Sequence, residues 1–341
     1  MQKVPVEKAV GMVLGHDVTE IIPGSFKGAA FKKGHIIEEG DIPRLLDIGK
    51  KNIYVIELAG DMLHENDAAL RMAEAAIGPG VALSEPNEGK VELSATINGL
   101  LKINPAALER MNLLEGIVFA TIHGGQIVQM GQKLGGTRII PLAMKKTEIE
   151  SVESICRRLY PVVTVKPVIP HTVGIVTTGS EVYHRRIEDK FGPVLTRKFN
   201  ALGSTILRQI IVDDDIRMIA GAIRELIEKG ADFIAVTGGM SVDPDDVTPA
   251  GIKAAGGSLV TYGAPALPGA MFLLAEIKGI PVVGLPACVM YVRTSIFDLI
   301  VPRLLANDIV DKTDIARLGY GGFCMNCEEC KYPRCGFGKG N

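Results

Sequence analysis

Thr172-Val173-Gly174-Ile175-Val176-Thr177-Thr178-Gly179-Ser180-Glu181 is the stretch whose reading decides the fold. Its first residues form a short apolar run that ends in glycine, which reads as a buried strand followed by a tight turn. The pattern then repeats. Thr196 to Leu202 reads as helix, and Thr205 to Val212 contains the next strand. Asp214 is placed to cap a helix running to Glu228, with Lys229-Gly230 as its stop. Asp232 to Thr237 is a third strand. Ile280 to Leu285 is a later one, followed by a helix through Met290 to Leu304. Apolar strands alternating with amphipathic helices predict an α/β fold, a mostly parallel sheet with helices on both faces. Ligands of such sheets sit beyond the carboxyl ends of the strands. Function should therefore lie in the loops after Thr177, Val212, Thr237 and Leu285.

Working outward, 341 residues favour two or three domains. Lys and Arg number 37 against 39 Asp and Glu, a net charge of −2, which argues against a general nucleic-acid binder. With 47% hydrophobic and 22% charged residues, the chain can bury sizeable cores. A mean hydropathy of +0.24 raises the question of a membrane span. The longest uncharged stretch, Ala254 to Ala275, is broken by Gly256, Gly257, Gly263, Pro265, Pro268 and Gly269, so it suits strands and turns instead. The first residues lack an apolar signal core. The expectation is a soluble, cytoplasmic protein that needs neither membrane nor nucleic acid.

Pro161, Pro167 and Pro170 punctuate a segment that suits a linker. It separates 1–166, an N-terminal α+β region, from the α/β domain at 171–306. Within the first region, Asn52 to Ile56 and Gly116 to Ile122 read as strands. Glu39 to Ile48, Asn66 to Ala76 and Pro105 to Met111 read as helices, with Asn66 and Asn104 as caps. His16, His35, His64 and His123 are scattered there and read as solvated or internally satisfied.

Two strand-end loops carry the chemistry: Thr177-Thr178-Gly179-Ser180-Glu181 and Thr237-Gly238-Gly239-Met240-Ser241. Glycine lets backbone approach an anion closely, and free N–H groups with hydroxyls can cradle phosphate. Neither G-x-x-x-x-G-K-[ST] nor a strand-following G-x-G-x-x-G is present, which excludes the common nucleotide-binding signatures. Asp213, Asp214 and Asp215 follow one strand, and Asp243, Asp245 and Asp246 another. Carboxylates so placed can hold a divalent cation such as Mg²⁺ against a phosphate. Thr248, with Pro249 behind it, is the better helix cap, which leaves Asp246 for another role. Cys288 sits on a strand-to-helix turn and reads as a small buried hydrophobe, as does Cys156. The tail at 320–341 reads C-x2-C-x2-C-x4-C. Cys324, Cys327, Cys330 and Cys335 could close around Zn²⁺ or an iron–sulfur cluster.

These motifs, with Asp246-Val247-Thr248-Pro249-Ala250 and Gly284-Leu285-Pro286, occur in an order that resembles the molybdopterin-binding domain of molybdopterin adenylyltransferases and molybdotransferases, the gephyrin-like family. Val4 to Val18 and Gly34 to Val55 resemble the N-terminal part of the molybdotransferases. The resemblance implies a part in molybdenum cofactor biosynthesis or delivery, as a molybdotransferase-like transferase or a carrier. Its ligand would be molybdopterin or its adenylylated form, with Mg²⁺. It implies Asp246 and Asp214 as the acting carboxylates, and Thr177, Thr178, Gly179, Ser180, Glu181, Thr237, Gly238, Gly239, Ser241, Pro268, Gly269 and Pro286 as ligand contacts. An apo-molybdoenzyme would be a recipient, and a homo-oligomer is expected. The sequence departs from the family at Leu267-Pro268-Gly269-Ala270-Met271, which lacks the family's lysines, and at Ala287-Cys288, where the family has Gly-Asn. The alternative reading is a metal- or redox-responsive interaction protein working through its cysteine tail.

Overall fold

The computed structural model describes residues 2–22, 26–56, 60–240 and 246–340. The chain divides into two compact units. One comprises Met1–Ile97, Ile103–Ile122 and Gln129–Val165; the other Asn98–Lys102, His123–Val128 and Lys166–Asn341.

The first unit is α+β. Strand Asn52–Ile56 pairs antiparallel with Gln2–Pro5 on one side and Val13–Leu14 on the other. Val4, Leu14, Leu45, Ile53 and Val55 fill the core between these strands and helix Asp41–Asp47. A four-stranded antiparallel sheet, in the order Ile117–Thr121, Lys133–Ile139, Lys90–Ala95 and Val81–Leu83, packs under helix Glu65–Ala76. That helix is capped by His64, whose Nδ1 accepts the Asn66 N–H at 3.2 Å, and not by Asn66. Asn66 instead accepts the Gly89 N–H at 2.8 Å. Asn104 caps helix Pro105–Asn112 as its sequence predicts, accepting the Ala107 N–H at 3.2 Å. The segment read as a linker contains a strand, Val163–Pro167. Its prolines fall before the strand, at its last residue and after it, so Val163–Val165 keep the N–H groups a ladder needs.

The second unit is built on a six-stranded sheet. Its strands are β1 (Thr172–Thr178), β2 (Thr205–Val212), β3 (Phe233–Thr237), β4 (Ser258–Tyr262), β5 (Leu273–Ile277) and β6 (Ile280–Leu285). Their order across the sheet is β2-β1-β3-β6-β5-β4. The first four are parallel, and β5 and β4 add an antiparallel hairpin at one edge. Strand alternation divides the side chains between two faces. Val173, Ile175, Phe233, Ala235 and Val283 join Phe199 and Phe297 on one face. Val176, Ile234, Val236 and Val282 join Ile219, Ile223 and Leu226 on the other. Helices thus cover both faces, as the strand–helix alternation predicts. Phe199 meets Phe233 and Phe297 edge-on, with ring centroids 5.4 and 5.2 Å apart. Each such pair adds about 1 kcal/mol to the burial itself.

Three helices depart from expectation. Helix α1 (Phe191–Ala201) starts before Thr196, because Asp189 accepts the N–H groups of Phe191 and Gly192 at 2.9 and 3.1 Å. Helix α2 (Ile216–Glu228) is capped by Asp215, which takes the N–H groups of Arg217 and Met218, and not by Asp214. The helix expected over Met290 to Leu304 is broken. A short turn, Cys288–Tyr291, ends at extended Val292, and Ser295 then caps α3 (Ile296–Leu305) in a reciprocal box with Asp298. Among the described residues, no helix is long and apolar enough to cross a membrane.

Candidate functional site

The carboxyl ends of β1, β2 and β3 lie side by side, since Thr177 pairs with both Ile211 and Thr237. Register thus brings the Thr-Thr-Gly-Ser, Asp-Asp-Asp and Thr-Gly-Gly segments to one sheet edge. Gly238 and Gly239 both have positive φ, +90° and +54°. A Cβ on Gly238 would lie 2.1 Å from the Thr178 carbonyl oxygen. On Gly239 it would lie 2.8 Å from Thr248 Oγ1 and 3.1 Å from Thr178 Oγ1. Only glycine fits either position.

Thr248 is not the cap its position beside Pro249 predicts. It is the first residue of helix Thr248–Ala254, whose start has no side-chain cap. Its hydroxyl donates to the Gly238 carbonyl at 2.8 Å and meets Thr178 Oγ1 at 3.3 Å. It fastens the Thr-Gly-Gly loop to the end of β1. The inference that Thr248 frees Asp246 from capping loses its basis here. Asp246 lies near Tyr262, whose phenol pKa is raised first by burial and then by the Asp246 charge.

Asp214 is the half-satisfied acid at this edge. Its Oδ2 accepts the Ser180 N–H at 2.9 Å. Its Oδ1 is buried without a hydrogen-bond partner among the described residues, on the side of the Gly239 α-carbon. Thr237 Oγ1 is likewise buried and unpartnered among them. Ser180 donates its hydroxyl to Asp213, whose pKa is held low by that bond and by the Asp214 N–H. Thr177 accepts a 2.8 Å hydrogen bond from Gln209 Nε2, which also reaches Asp189 at 2.6 Å. Gly179 has φ +141°, and the exposed Glu181 carboxylate lies near it. Ser241, Asp243 and Asp245 lie outside the described residues.

Pro268, Gly269 and Pro286 lie on the following loops. The Pro268 carbonyl accepts the Ile296 N–H at 3.2 Å, and Gly269, with φ +135°, sits where a Cβ would be 2.4 Å from that of Ile296. Pro286 is buried directly after β6.

Residues 174–306 match the family model described as a probable molybdopterin binding domain. Residues 3–57 match a second, described as a domain of unknown function. The chain is 32% identical over 80 residues to a molybdopterin adenylyltransferase of Pyrococcus furiosus, covering 24% of this chain and 47% of that one. It is 38% identical over 74 residues to a CinA-like protein of Acidobacterium capsulatum, covering 22% and 18%. The match thus spans about half of the first relative's length and under a fifth of the second's. Among solved structures, the molybdopterin biosynthesis enzyme MoaB of Thermus thermophilus overlaps with a TM-score of 0.34 at 16% identity, covering 40% of this chain and 98% of that one. The molybdopterin biosynthesis moea protein of Pyrococcus horikosii overlaps at 0.32 and 16%, covering 90% and 74%.

Sequence reasoning about these strand-end loops missed Gln209, Asp189 and Met240. A glutamine in the middle of a strand gives no signal by itself. Met240 packs against Gly284, where a Cβ would be 2.7 Å from its methyl, and so ties the Thr-Gly-Gly loop to β6. Cys288 behaves as the small hydrophobe expected: burial pushes its thiol pKa up, against the backbone N–H groups that pull it down. Cys156 is buried, and its thiol is pushed up to about 11.

The four tail cysteines line one cavity of about 510 Å³. Cys327 is exposed, and the other three are partly buried. Thr294 Oγ1 lies 3.2 Å from Cys330 Sγ. Among the described residues, no three His, Cys, Asp or Glu side chains converge as a group that would hold a single metal ion.

Proposed function

We propose that the strand-end loops of residues 172–306 bind a phosphate-bearing pterin, molybdopterin or its adenylylated form, and that the protein acts in molybdenum cofactor biosynthesis as a molybdotransferase-like transferase. The observation that carries this is Asp214 Oδ1: a buried carboxylate oxygen, unpartnered among the described residues, beside two positive-φ glycines. An uncompensated buried acceptor costs about 1–3 kcal/mol or more, which a ligand or its cation would recover. Asp214 Oδ1 would serve as a protein ligand for Mg²⁺, which when bound would supply positive charge against a substrate phosphate. Thr177, Thr178, Gly179, Ser180, Glu181, Thr237, Gly238, Gly239, Ser241, Pro268, Gly269 and Pro286 are assigned to the ligand. Asp214 orients it, and Asp246 acts at the reacting phosphate or metal. The family match over residues 174–306 supports the ligand class.

A metal at Cys324, Cys327, Cys330 and Cys335, Zn²⁺ or an iron–sulfur cluster, belongs to the same reading. So do an apo-molybdoenzyme recipient, a homo-oligomer and a cytoplasmic setting in which thiols stay reduced.

Anaerobic titration of the full chain with molybdopterin, with and without Mg²⁺, tests the proposal. Asp214→Asn should weaken Mg²⁺-dependent binding about 10-fold, the loss of one charge-assisted contact. Asp246→Asn should spare binding and lower metal insertion instead, as befits a group acting mainly in the reacting state. Binding unaffected by Asp214→Asn would move the site elsewhere.

A further inference from the structure

The cysteine tail is docked on the α/β core rather than trailing from it. Leu267 N–H donates to the Gly322 carbonyl at 2.7 Å, and Cys324 N–H returns to Leu267 at 2.8 Å. Gly338 N–H reaches the Gly321 carbonyl at 2.9 Å. The Tyr332 hydroxyl donates to the Asp298 carbonyl at 3.1 Å, and Phe337 is buried in the same core as Phe297. Cys335 lies between these two aromatic anchors, so its position is fixed by packing that needs no metal.

That fixed frame decides between the two ligand classes four thiols can serve. A mononuclear Zn²⁺ site, with Zn–S near 2.3 Å, draws its four sulfurs to about 3.8 Å from one another and leaves no space between them. The tail is arranged differently. Its four cysteines are among the residues lining a cavity of about 510 Å³, and among the described residues no three His, Cys, Asp or Glu form a group that would hold one ion. Four cysteines on the wall of one cavity suit a polynuclear centre, in which each sulfur binds a different corner of the cluster. The sequence spacing adds a second argument. In ferredoxins with two clusters, the fourth cysteine of the similar run serves the other cluster. Here the chain turns back through Tyr332, so that Cys335 lines the same cavity as the first three. Arg293 and Lys331 line the cavity together with Glu328 and Glu329, and Lys339 lies partly buried near Cys335.

We propose that Cys324, Cys327, Cys330 and Cys335 ligate one iron–sulfur cluster in this cavity, seated directly on the Leu267–Pro268 segment. Each thiol gives its proton to solvent as its sulfur bonds iron. The inference sharpens the tail-metal part of the proposed function and is independent of the pterin part. Pro268 also lines the cavity, so the cluster and the loop assigned to the pterin share a wall.

The test uses the full chain, purified anaerobically and then incubated with iron salts, sodium sulfide and a thiol reductant. The expected result is iron and acid-labile sulfide in equal amounts, about two or about four of each per chain, with the broad visible absorption of a cluster. Cys327→Ser, at the exposed position, should lose at least half of the bound iron and sulfide with an unchanged circular dichroism spectrum. Cys288→Ser, outside the cavity, should retain both. One zinc per chain that iron and sulfide do not displace would overturn the cluster and keep a tail metal. No metal, with all four tail thiols freely titratable, would overturn both. Pterin titration of the same samples reads the other half of the proposed function separately.

Discussion

The strand-end loops and the cysteine tail are two loop clusters of the same unit, and they are assembled in different ways. The strand-end loops are tied by side-chain oxygens: Thr248 to Gly238, Ser180 to Asp213, Gln209 to Thr177. Among the described residues, Asp214 Oδ1 and Thr237 Oγ1 are buried there without a partner. The tail is tied by backbone amides and two aromatic anchors, and its four cysteines line one cavity. In the first cluster the groups proposed for function also hold the loop together. In the second the scaffold and the proposed ligands are separate atoms. Substitution at one should therefore couple binding to local structure, and at the other should not.

The sharpest test of that contrast is Gly239→Val. A β-branched residue at φ +54°, with its Cβ within 2.8 Å of Thr248 Oγ1, must displace the loop. Molybdopterin affinity should fall about 100-fold, the usual penalty for misplacing a binding group by an ångström. Tail thiol reactivity should stay as in the parent. A simultaneous change in the tail would show that the two clusters are one cooperative element.

Gly338→Val probes the other side. At φ +70°, with a Cβ 2.3 Å from the Leu299 side chain, it should cost about 2 kcal/mol and release the tail's end. Denaturant melts would give the stability loss, and pterin titration should show no change. Thr248→Val, the mildest, removes a hydroxyl but keeps the shape. It should cost about 1 kcal/mol, seen as a small shift in melting temperature together with a weaker ligand fit. A stability loss without any effect on ligand would mean that Thr248 serves the helix alone.

The parallel sheet was legible because β1, β3 and β6 are apolar, buried on both faces and followed by glycine or proline. The chain's long uncharged stretch likewise resolves into strands β4 and β5 with turns. What escaped the sequence was the partnering of polar side chains. Asp214 and Asp215 are adjacent and chemically equal. Which one caps depends on where the helix begins; here it begins at Ile216, so Asp215 caps it and Asp214 faces Ser180 and Gly239. Thr248 before Pro249 has the composition of a cap, yet a carbonyl from the neighbouring loop claims its hydroxyl. The start of α1 was missed because Gly192-Pro193 reads as a turn until Asp189 is seen to hold the first amides. The cysteine spacing is plain in sequence, while the cavity that the four cysteines share is a property of packing alone.

One edge contact makes the strand-end site observable. Tyr262, on the outer strand of the sheet, donates its hydroxyl to the Met240 carbonyl at 3.1 Å, at the end of the Thr-Gly-Gly segment. The chain contains no tryptophan and only seven tyrosines, so phenol emission is not drowned by indole. Tyrosine fluorescence is quenched by a carbonyl or carboxylate close to the hydroxyl, so its intensity changes when either moves, and Asp246 is such a carboxylate. The protein thereby carries its own optical gauge of this loop, readable without a label and calibrated by comparison with Tyr262→Phe.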